Sequence, residues 1–383
     1  MSRTQHLLDK AFFEAARAQW LFTAPNPRVG AVALKNGHIV GCGHHAAFGG
    51  PHAEEAALRN VGAWDQDKDC AVPGVVDEMM VTLEPCSSTK GKKRRPCTTT
   101  LLEAGIKKIT VAALDPDPRH AGAGLKLLVQ AGIEVDDSLV EANQPRFEEQ
   151  NKAFLASLAK PDLPWVLLKW ASTVDGKIAT PDGVSKWITG PEARAEVHQL
   201  RALGDAVMVG SQTLSLDNPE LTARPLGVAV ASQPLRICLL PKQAGFDDKN
   251  SAVMQAAGPR LWLLDQEAPL PDNNDHHIRV ERTENGLDLK AALIQLRLQH
   301  GIRRILVEGG ARLHGSLLNS GLADAMVRYE APLLLGGNRP ACDGPSFSSP
   351  QLALHLSDEE SLRVGIDQRR AFLICPAPTP EAN

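Results

Sequence analysis

One histidine, one glutamate and two cysteines, each cysteine preceded by a proline, restrict what this chain can fold into. Pro51-His52-Ala53-Glu54, Pro85-Cys86 and Pro96-Cys97 offer an imidazole, two thiols and a carboxylate, the donor set of a hydrolytic zinc centre. Such a centre takes three nitrogen or sulfur ligands and keeps a fourth position for a water, which the metal acidifies enough to attack at neutral pH. With His52, Cys86 and Cys97 as ligands, three segments must converge on one point. Pro85-Cys86 follows a β-type run, Met80 to Glu84, and His52 opens an alanine-rich helical pattern, Ala53 to Leu58. A strand packed on helices supplies that convergence. Glu54, two residues past the histidine, is then placed to carry a proton from water to a departing amine without touching the metal.

The general amine-hydrolysing signature is H-x-E followed by P-C-x-x-C, whereas here ten residues, Ser87 to Pro96, separate the cysteines. A lone H-A-E arises often by chance, and a lone cysteine is most often a small buried hydrophobe. Their combination in a strand-and-helix context is what points to deamination.

With its flanking segments added, the N-terminal half resembles the deaminase half of the bifunctional riboflavin-biosynthesis deaminase/reductase family. The match is carried by Pro25-Asn26-Pro27-Arg28-Val29-Gly30-Ala31-Val32, Gly43-His44-His45, Gly49-Gly50-Pro51-His52-Ala53-Glu54, Thr82-Leu83-Glu84-Pro85-Cys86-Ser87 and Asp115-Pro116-Asp117-Pro118. That family's inter-cysteine loop, usually C-S-H-x-G-[KR]-T-P-P-C, is itself long. Two residues remain extra here, and Ser88 or Thr89 stands where the family has histidine. The resemblance implies Zn2+ on His52, Cys86 and Cys97, Glu54 as catalytic proton carrier, and substrate contacts from Asn26, His45 and Lys92. Read without it, Asn26 is a turn residue before Pro27. His44 has no family counterpart and reads as structural. The basic run Lys90, Lys92, Lys93, Arg94 and Arg95 could neutralise a substrate phosphate or be a solvated loop, and only Lys92 matches the family's basic position.

The C-terminal half resembles the same family's reductase through Leu168-Lys169, Ala171-Ser172-Thr173-Val174-Asp175-Gly176-Lys177, Ser185-Lys186-Trp187-Ile188-Thr189, Asp217 to Arg224 and Val307-Glu308-Gly309-Gly310. The chain has no G-x-G-x-x-G after its first strand, so a Rossmann cradle is not supported. The Glu308-Gly309-Gly310 turn, between an apolar strand and a helical pattern, offers glycine N–H groups for phosphate instead. The resemblance implies NADPH as cofactor, bound by Trp187, Thr189, Asp217, Gly309 and Gly310, and a phosphorylated substrate held by Lys169, Ser185, Arg201, Arg224 and Glu308. By themselves Trp187 reads as core and Arg201 as a surface helix residue. The reaction implied is deamination of 2,5-diamino-6-(5-phosphoribosylamino)pyrimidin-4(3H)-one, then reduction of its ribosyl group to ribityl.

A chain of 383 residues exceeds one typical core. The expectation is a deaminase domain over 1–147, a connecting helix over 148–161 and a reductase domain over 162–383. Alternating elements make both halves α/β, and the family implies a cytidine-deaminase-like α/β/α domain followed by a dihydrofolate-reductase-like one. Asn36-Gly37 signals a hairpin, Asp272 to Asn285 reads as a solvated loop with a stray-metal pair at His276-His277, and Pro376 to Asn383 as disordered. A net charge of −4 gives no general attraction for nucleic acid, so no nucleic-acid partner is expected. No apolar run reaches the roughly 20 residues of a membrane span, and seven scattered cysteines form no disulfide framework. The chain therefore reads as cytoplasmic, and the family implies a homo-oligomer. Two other readings stay open at this level: an RNA or nucleobase deaminase, and a protein of this type with one inactive half.

Overall fold

Asn36 (φ 50°) and Gly37 (φ 75°) both adopt the left-handed region, the two-residue turn that an Asn-Gly pair favours, and they fold β1 (Gly30–Lys35) back on β2 (His38–His44). In the computed structural model, which describes residues 2–88, 94–118, 120–227, 230–240, 251–268, 275–284 and 286–375, this hairpin begins the first of two large sheets. The chain divides into two compact units, Met1–Ala159 and Lys160–Asn383.

In the first unit α1 (Arg3–Arg17) and α2 (Trp20–Thr23) precede the hairpin, and α3 (Ala53–Asn60) and a small β3 (Trp64–Asp65) and β4 (Cys70–Ala71) ribbon follow it. Then come β5 (Glu78–Val81), α4 (Cys97–Ala104), β6 (Lys108–Val111), α5 (Ala123–Gln130), β7 (Glu134–Asp136), α6 (Val140–Gln150) and α7 (Lys152–Leu158). The sheet order is β2-β1-β5-β6-β7, antiparallel at β2-β1 and β1-β5 and parallel beyond. Leu8 and Phe12 of α1, Val32, Met79, Ile109 and Leu101 meet in its core. The strand expected over Met80 to Glu84 stops at Val81, because Thr82 and Glu84 turn their side chains to backbone N–H groups of neighbouring segments. The connecting helix expected over 148–161 is not one helix: α6 ends at Gln150 and α7 begins at Lys152. Asn151, at the break, uses its side-chain amide to accept from Arg28 N at 2.7 Å and to donate to Arg28 O at 3.2 Å, and Phe147 is fully buried in this unit's core.

The second unit runs β8 (Trp165–Thr173), α8 (Pro191–Leu203), β9 (Ala206–Val209), α9 (Ser211–Asp217), β10 (Leu235–Leu240), α10 (Ala252–Gln255), β11 (Arg260–Asp265) and β12 (His276–Val280). After the short β13 (Arg282–Thr283) and β14 (Gly286–Leu287) come α11 (Leu289–Leu298), β15 (Arg304–Val307), α12 (Ala311–Asn319), β16 (Ala325–Ala331), β17 (Leu356–Val364) and β18 (Asp367–Ile374). The order β12-β11-β10-β9-β15-β8-β16-β18-β17 gives seven parallel strands flanked on one side by an antiparallel hairpin. Buried on both faces, the central strands β9, β10 and β15 are largely apolar, as parallel sheets require, with Arg236 and Arg304 the buried exceptions. Of the solvated loop expected over Asp272 to Asn285, residues 276–280 form β12 and 282–283 form β13, because Ile278 and Val280 alternate inward beside β11, and residues 272–274 and 285 lie outside the described residues. His276 and His277 are exposed on that edge strand, and neither belongs to a group able to hold a metal among the described residues. The Pro376 to Asn383 tail lies outside the described residues. Among the described residues no helix is long and apolar enough to cross a membrane.

Gly43 of β2 faces α3 with no room for a side chain: a Cβ there would lie 2.3 Å from Ala57 N and 2.8 Å from Ala53 O. The neighbours are helix backbone and cannot yield, so Gly43→Ala must push α3 off the sheet. The substitution is expected to lower the first unit's stability by on the order of 3 kcal/mol, read as a shift in denaturation midpoint with unchanged slope.

Candidate active sites

Three elements of the first unit deliver the predicted ligands. His52 is the N-cap residue of α3, Cys97 the first residue of α4, and Cys86 lies in the turn after β5. His52 Nδ1 stands 3.0 Å from Cys97 Sγ and 3.6 Å from Cys86 Sγ, and the two sulfurs are 3.6 Å apart. Tetrahedral zinc with bonds of about 2.3 Å to sulfur and about 2.0 Å to nitrogen separates sulfur pairs by about 3.8 Å and nitrogen–sulfur pairs by about 3.5 Å. The donor set and spacing therefore fit zinc, and among the described residues this is the one His, Cys and carboxylate cluster of that kind. The hydrogen bond with Cys86 and burial raise the Cys97 thiol well above its ordinary range, so metal binding here displaces a proton.

Glu54 is 3% exposed on the same helix turn as His52, and burial raises its carboxyl above the usual range. Glu84, two residues before Cys86, accepts from Gly122 N and Gly124 N at 2.8 Å each. It ties the cysteine's turn to the start of α5, a role no spacing rule revealed. His45 Nδ1 lies 2.8 Å from Pro51 O, which can only accept, so that nitrogen carries the proton. Nε2 then accepts from Asn26 Nδ2 at 3.1 Å, and burial pushes the ring down to about 4, so it stays neutral. Asn26 is thus fixed through His45 beside His52, whose ring centroid is 5.4 Å from that of His45. His44, by contrast, faces Glu14 of α1 at 3.6 Å. Lys92, with Lys90 and Lys93, lies outside the described residues. Arg94 and Arg95 are not open to a phosphate as the basic run suggested: Arg94 is paired with Glu55, and Arg95 with Glu103 at 2.7 Å.

In the second unit the parallel order sets β15 between β8 and β9, which brings Glu308, just past β15, up to Lys169 of β8. Lys169 Nζ is 3.9 Å from Glu308 Oε2, and the Arg201 guanidinium of α8 holds both carboxylate oxygens. Their side chains are 17%, 14% and 8% exposed for Lys169, Arg201 and Glu308, so Arg201 is no surface residue. Burial works to raise Glu308, but Arg201 and Lys169 outweigh it and hold the carboxyl below its ordinary value. Burial lowers the Lys169 ammonium, with Glu308 opposing. Arg201 also donates to Thr222 O at 3.0 Å.

The other predicted residues group differently. Ser185 donates to Asp217 at 3.1 Å, and Arg224 pairs with Glu220 and Thr222 on an exposed turn. Trp187 is no core residue: it is 69% exposed, with the Arg194 guanidinium 4.6 Å from the ring and bonded to Thr189 O at 2.5 Å. At Gly309 a Cβ would lie 2.9 Å from Gly210 N, so the ends of β15 and β9 touch, and α12 starts immediately after Gly310 (φ 38°). Glycine N–H groups without side chains at a helix start suit a cofactor phosphate. Sequence reasoning missed Arg194. It also missed a sealed trio in which the Tyr329 hydroxyl donates to Glu196 at 2.8 Å and Arg369 to the same oxygen at 3.1 Å. Its members come from α8, β16 and β18, which no local spacing connects.

Residues 164–367 match the family described as RibD C-terminal domain, and residues 1–113 match the cytidine and deoxycytidylate deaminase zinc-binding region. The riboflavin biosynthesis protein RibD of Bacillus amyloliquefaciens is 36% identical over 90% of this chain and 90% of its own. That of Escherichia coli K12 is 34% identical over 95% of this chain and 97% of its own. The chain belongs to the RibD family. A solved structure of Acinetobacter baumannii RibD superposes with TM-score 0.69 at 31% identity, covering 97% of this chain and 99% of that one. A Thermotoga maritima diaminohydroxyphosphoribosylaminopyrimidine deaminase/5-amino-6-(5-phosphoribosylamino)uracil reductase does so with TM-score 0.66 at 28% identity and the same coverage. The first unit has the cytidine-deaminase-like fold and the second the dihydrofolate-reductase-like fold. The chain is a bifunctional enzyme of riboflavin biosynthesis, a zinc deaminase and an NADPH reductase.

His314, buried on α12 four residues past Gly310, faces Ala341 O and Val307 O with its two ring nitrogens at 3.4 and 3.5 Å, and burial pushes its ring down to about 4. A histidine ordinarily near 6.5 that stays neutral in the fold contributes stability that is complete above 6.5 and is lost as pH falls toward 4. The loss is on the order of 3 kcal/mol. Denaturation midpoints of the second unit should therefore fall between pH 7 and pH 4, and His314→Gln should flatten that decline.

Proposed function

We propose that the first unit deaminates 2,5-diamino-6-(5-phosphoribosylamino)pyrimidin-4(3H)-one and that the second reduces the ribosyl group of the product, giving 5-amino-6-(5-phosphoribitylamino)uracil. The convergence of His52, Cys86 and Cys97 with buried Glu54 beside them carries the first half of this reading. Zinc held by His52, Cys86 and Cys97 would supply a water acid enough to attack the ring carbon that bears the amine. Glu54 takes the proton from that water and returns it to the departing nitrogen, which leaves as ammonia. Asn26, held by neutral His45, presents its amide to the edge of the pyrimidine. Lys92, which matches the family's basic position, is assigned to the phosphate on this reading.

In the second unit bound NADPH supplies a hydride to the open-chain C1 of the ribose, and the oxygen at that carbon needs a proton. Arg201 cannot give one up, and Glu308 is held ionised. Lys169, whose ammonium burial weakens, is the member of the trio able to deliver it. Ser185 and Arg224 hold the substrate phosphate, while Trp187, Thr189, Asp217, Gly309 and Gly310 line the cofactor side. Residence in the cytoplasm belongs to the same reading, supported by cysteines that form no disulfide among the described residues. So does self-association, for which Leu356, Leu362 and Ile366 stand exposed on the outer hairpin.

Incubating zinc-loaded protein with the diaminopyrimidine with and without NADPH, and resolving the products by mass, tests both steps and their order. Glu54→Gln is expected to lower deamination on the order of 1,000-fold while zinc content and reduction of supplied deaminated substrate stay intact. Glu308→Gln should lower the reductase kcat on the order of 100-fold and leave deamination unchanged, since it strips two largely buried cations of their counter-charge. Loss of zinc from Glu54→Gln, or an unaltered reductase in Glu308→Gln, would overturn the corresponding role.

A further inference from the structure

Glu55 follows the proton carrier Glu54 on α3 and is a carboxylate buried to 4% exposure. An isolated buried charge is costly, so its partners define what it does. Arg59, one turn on, donates to Glu55 Oε1 at 2.9 Å, and Arg94 donates to the same oxygen. Arg94 comes three residues before the ligand Cys97. The next residue, Arg95, turns the other way: it donates to Glu103 of α4 at 2.7 Å and to Asp69 O at 2.6 Å. Arg59 completes the circuit by reaching the Asp69 carboxylate at 3.0 Å, with its guanidinium 4.4 Å from the centre of the Trp64 ring. Two consecutive arginines thus grip two helices. One is α3, which His52 caps and which carries Glu54; the other is α4, which Cys97 begins.

We infer that Glu55 is a positioning residue of the zinc centre, acting through Arg94 to fix the end of the inter-cysteine loop so that Cys97 meets His52 and Cys86. The loop here is two residues longer than the family's usual form. The arginine pair fixes the described end of that loop by bonding to both ligand-bearing helices. The inference rests on the deaminase reading of this site. It also assigns Arg94 to the protein's own carboxylate rather than to a substrate phosphate.

The test uses the full-length, zinc-loaded protein and the variants Glu55→Gln, Arg94→Gln, the double variant and Arg94→Lys. Zinc release to a chelating dye is measured together with kcat and KM of deamination, and reduction serves as a control in the same chain. Glu55→Gln and Arg94→Gln should each speed zinc release on the order of 10-fold. Each should lower the deaminase kcat with little change in KM, the double variant should be no worse than the worse single one, and Arg94→Lys should recover most of the loss. A raised KM in Arg94→Gln with a lowered or unchanged KM in Glu55→Gln, and zinc release unaltered in both, would overturn the inference and give Arg94 to the substrate phosphate. Strictly additive effects would overturn it too. If the wild type deaminated nothing, the deaminase reading would fall, and the zinc-release comparison would decide the positioning role by itself.

Discussion

Everything in the first unit hangs on how closely α3 lies against the sheet. A metal with three protein ligands tolerates errors of tenths of an ångström, and those ligands come from a helix cap, a strand exit and a second helix start. The helix can approach because β2 offers Gly43 at the crossing. The strand exit is fixed by Glu84, whose carboxylate satisfies two N–H groups at the start of α5. The second helix is held by its own packing and by the arginines before it. A site that looks like four residues in the sequence is therefore a property of three supporting contacts made by other residues.

The second unit solves a different problem. Its parallel sheet places the ends of β8, β9 and β15 side by side, where ligands of α/β proteins commonly bind. A carboxylate in that position would ordinarily be neutralised by burial. Arg201 and Lys169 prevent it, leaving two cations against one anion and hence a local surplus of positive charge. On the proposed reading that surplus suits a phosphorylated substrate, and the lysine is the cation of the pair able to give up a proton.

The elements whose signals are local were legible in the sequence. The Asn36-Gly37 hairpin, the helix opened by His52 and the α/β character of both halves appear as expected. Three misreadings had one cause, that polar residues near a turn do not say what they touch. Asn151 broke a helix by bonding Arg28, and Ile278 and Val280 made a strand of a stretch that its acids and histidines had marked as loop. Arg94 and Arg95, read as either part of a phosphate patch or a solvated loop, instead pair with carboxylates of the protein's own helices. The exposure of Trp187 and the burial of Arg201 likewise followed from tertiary packing against each residue's usual habit.

The sealed trio of Tyr329, Glu196 and Arg369 has a consequence of its own. Tyr329 is the single tyrosine of the chain, and burial raises its phenol well above the ordinary range. Alkaline titration of the intact fold therefore leaves the phenol protonated until the second unit opens. Phenolate absorbance becomes an intrinsic reporter for that unit alone, able to separate its unfolding from that of the zinc-binding half without any label.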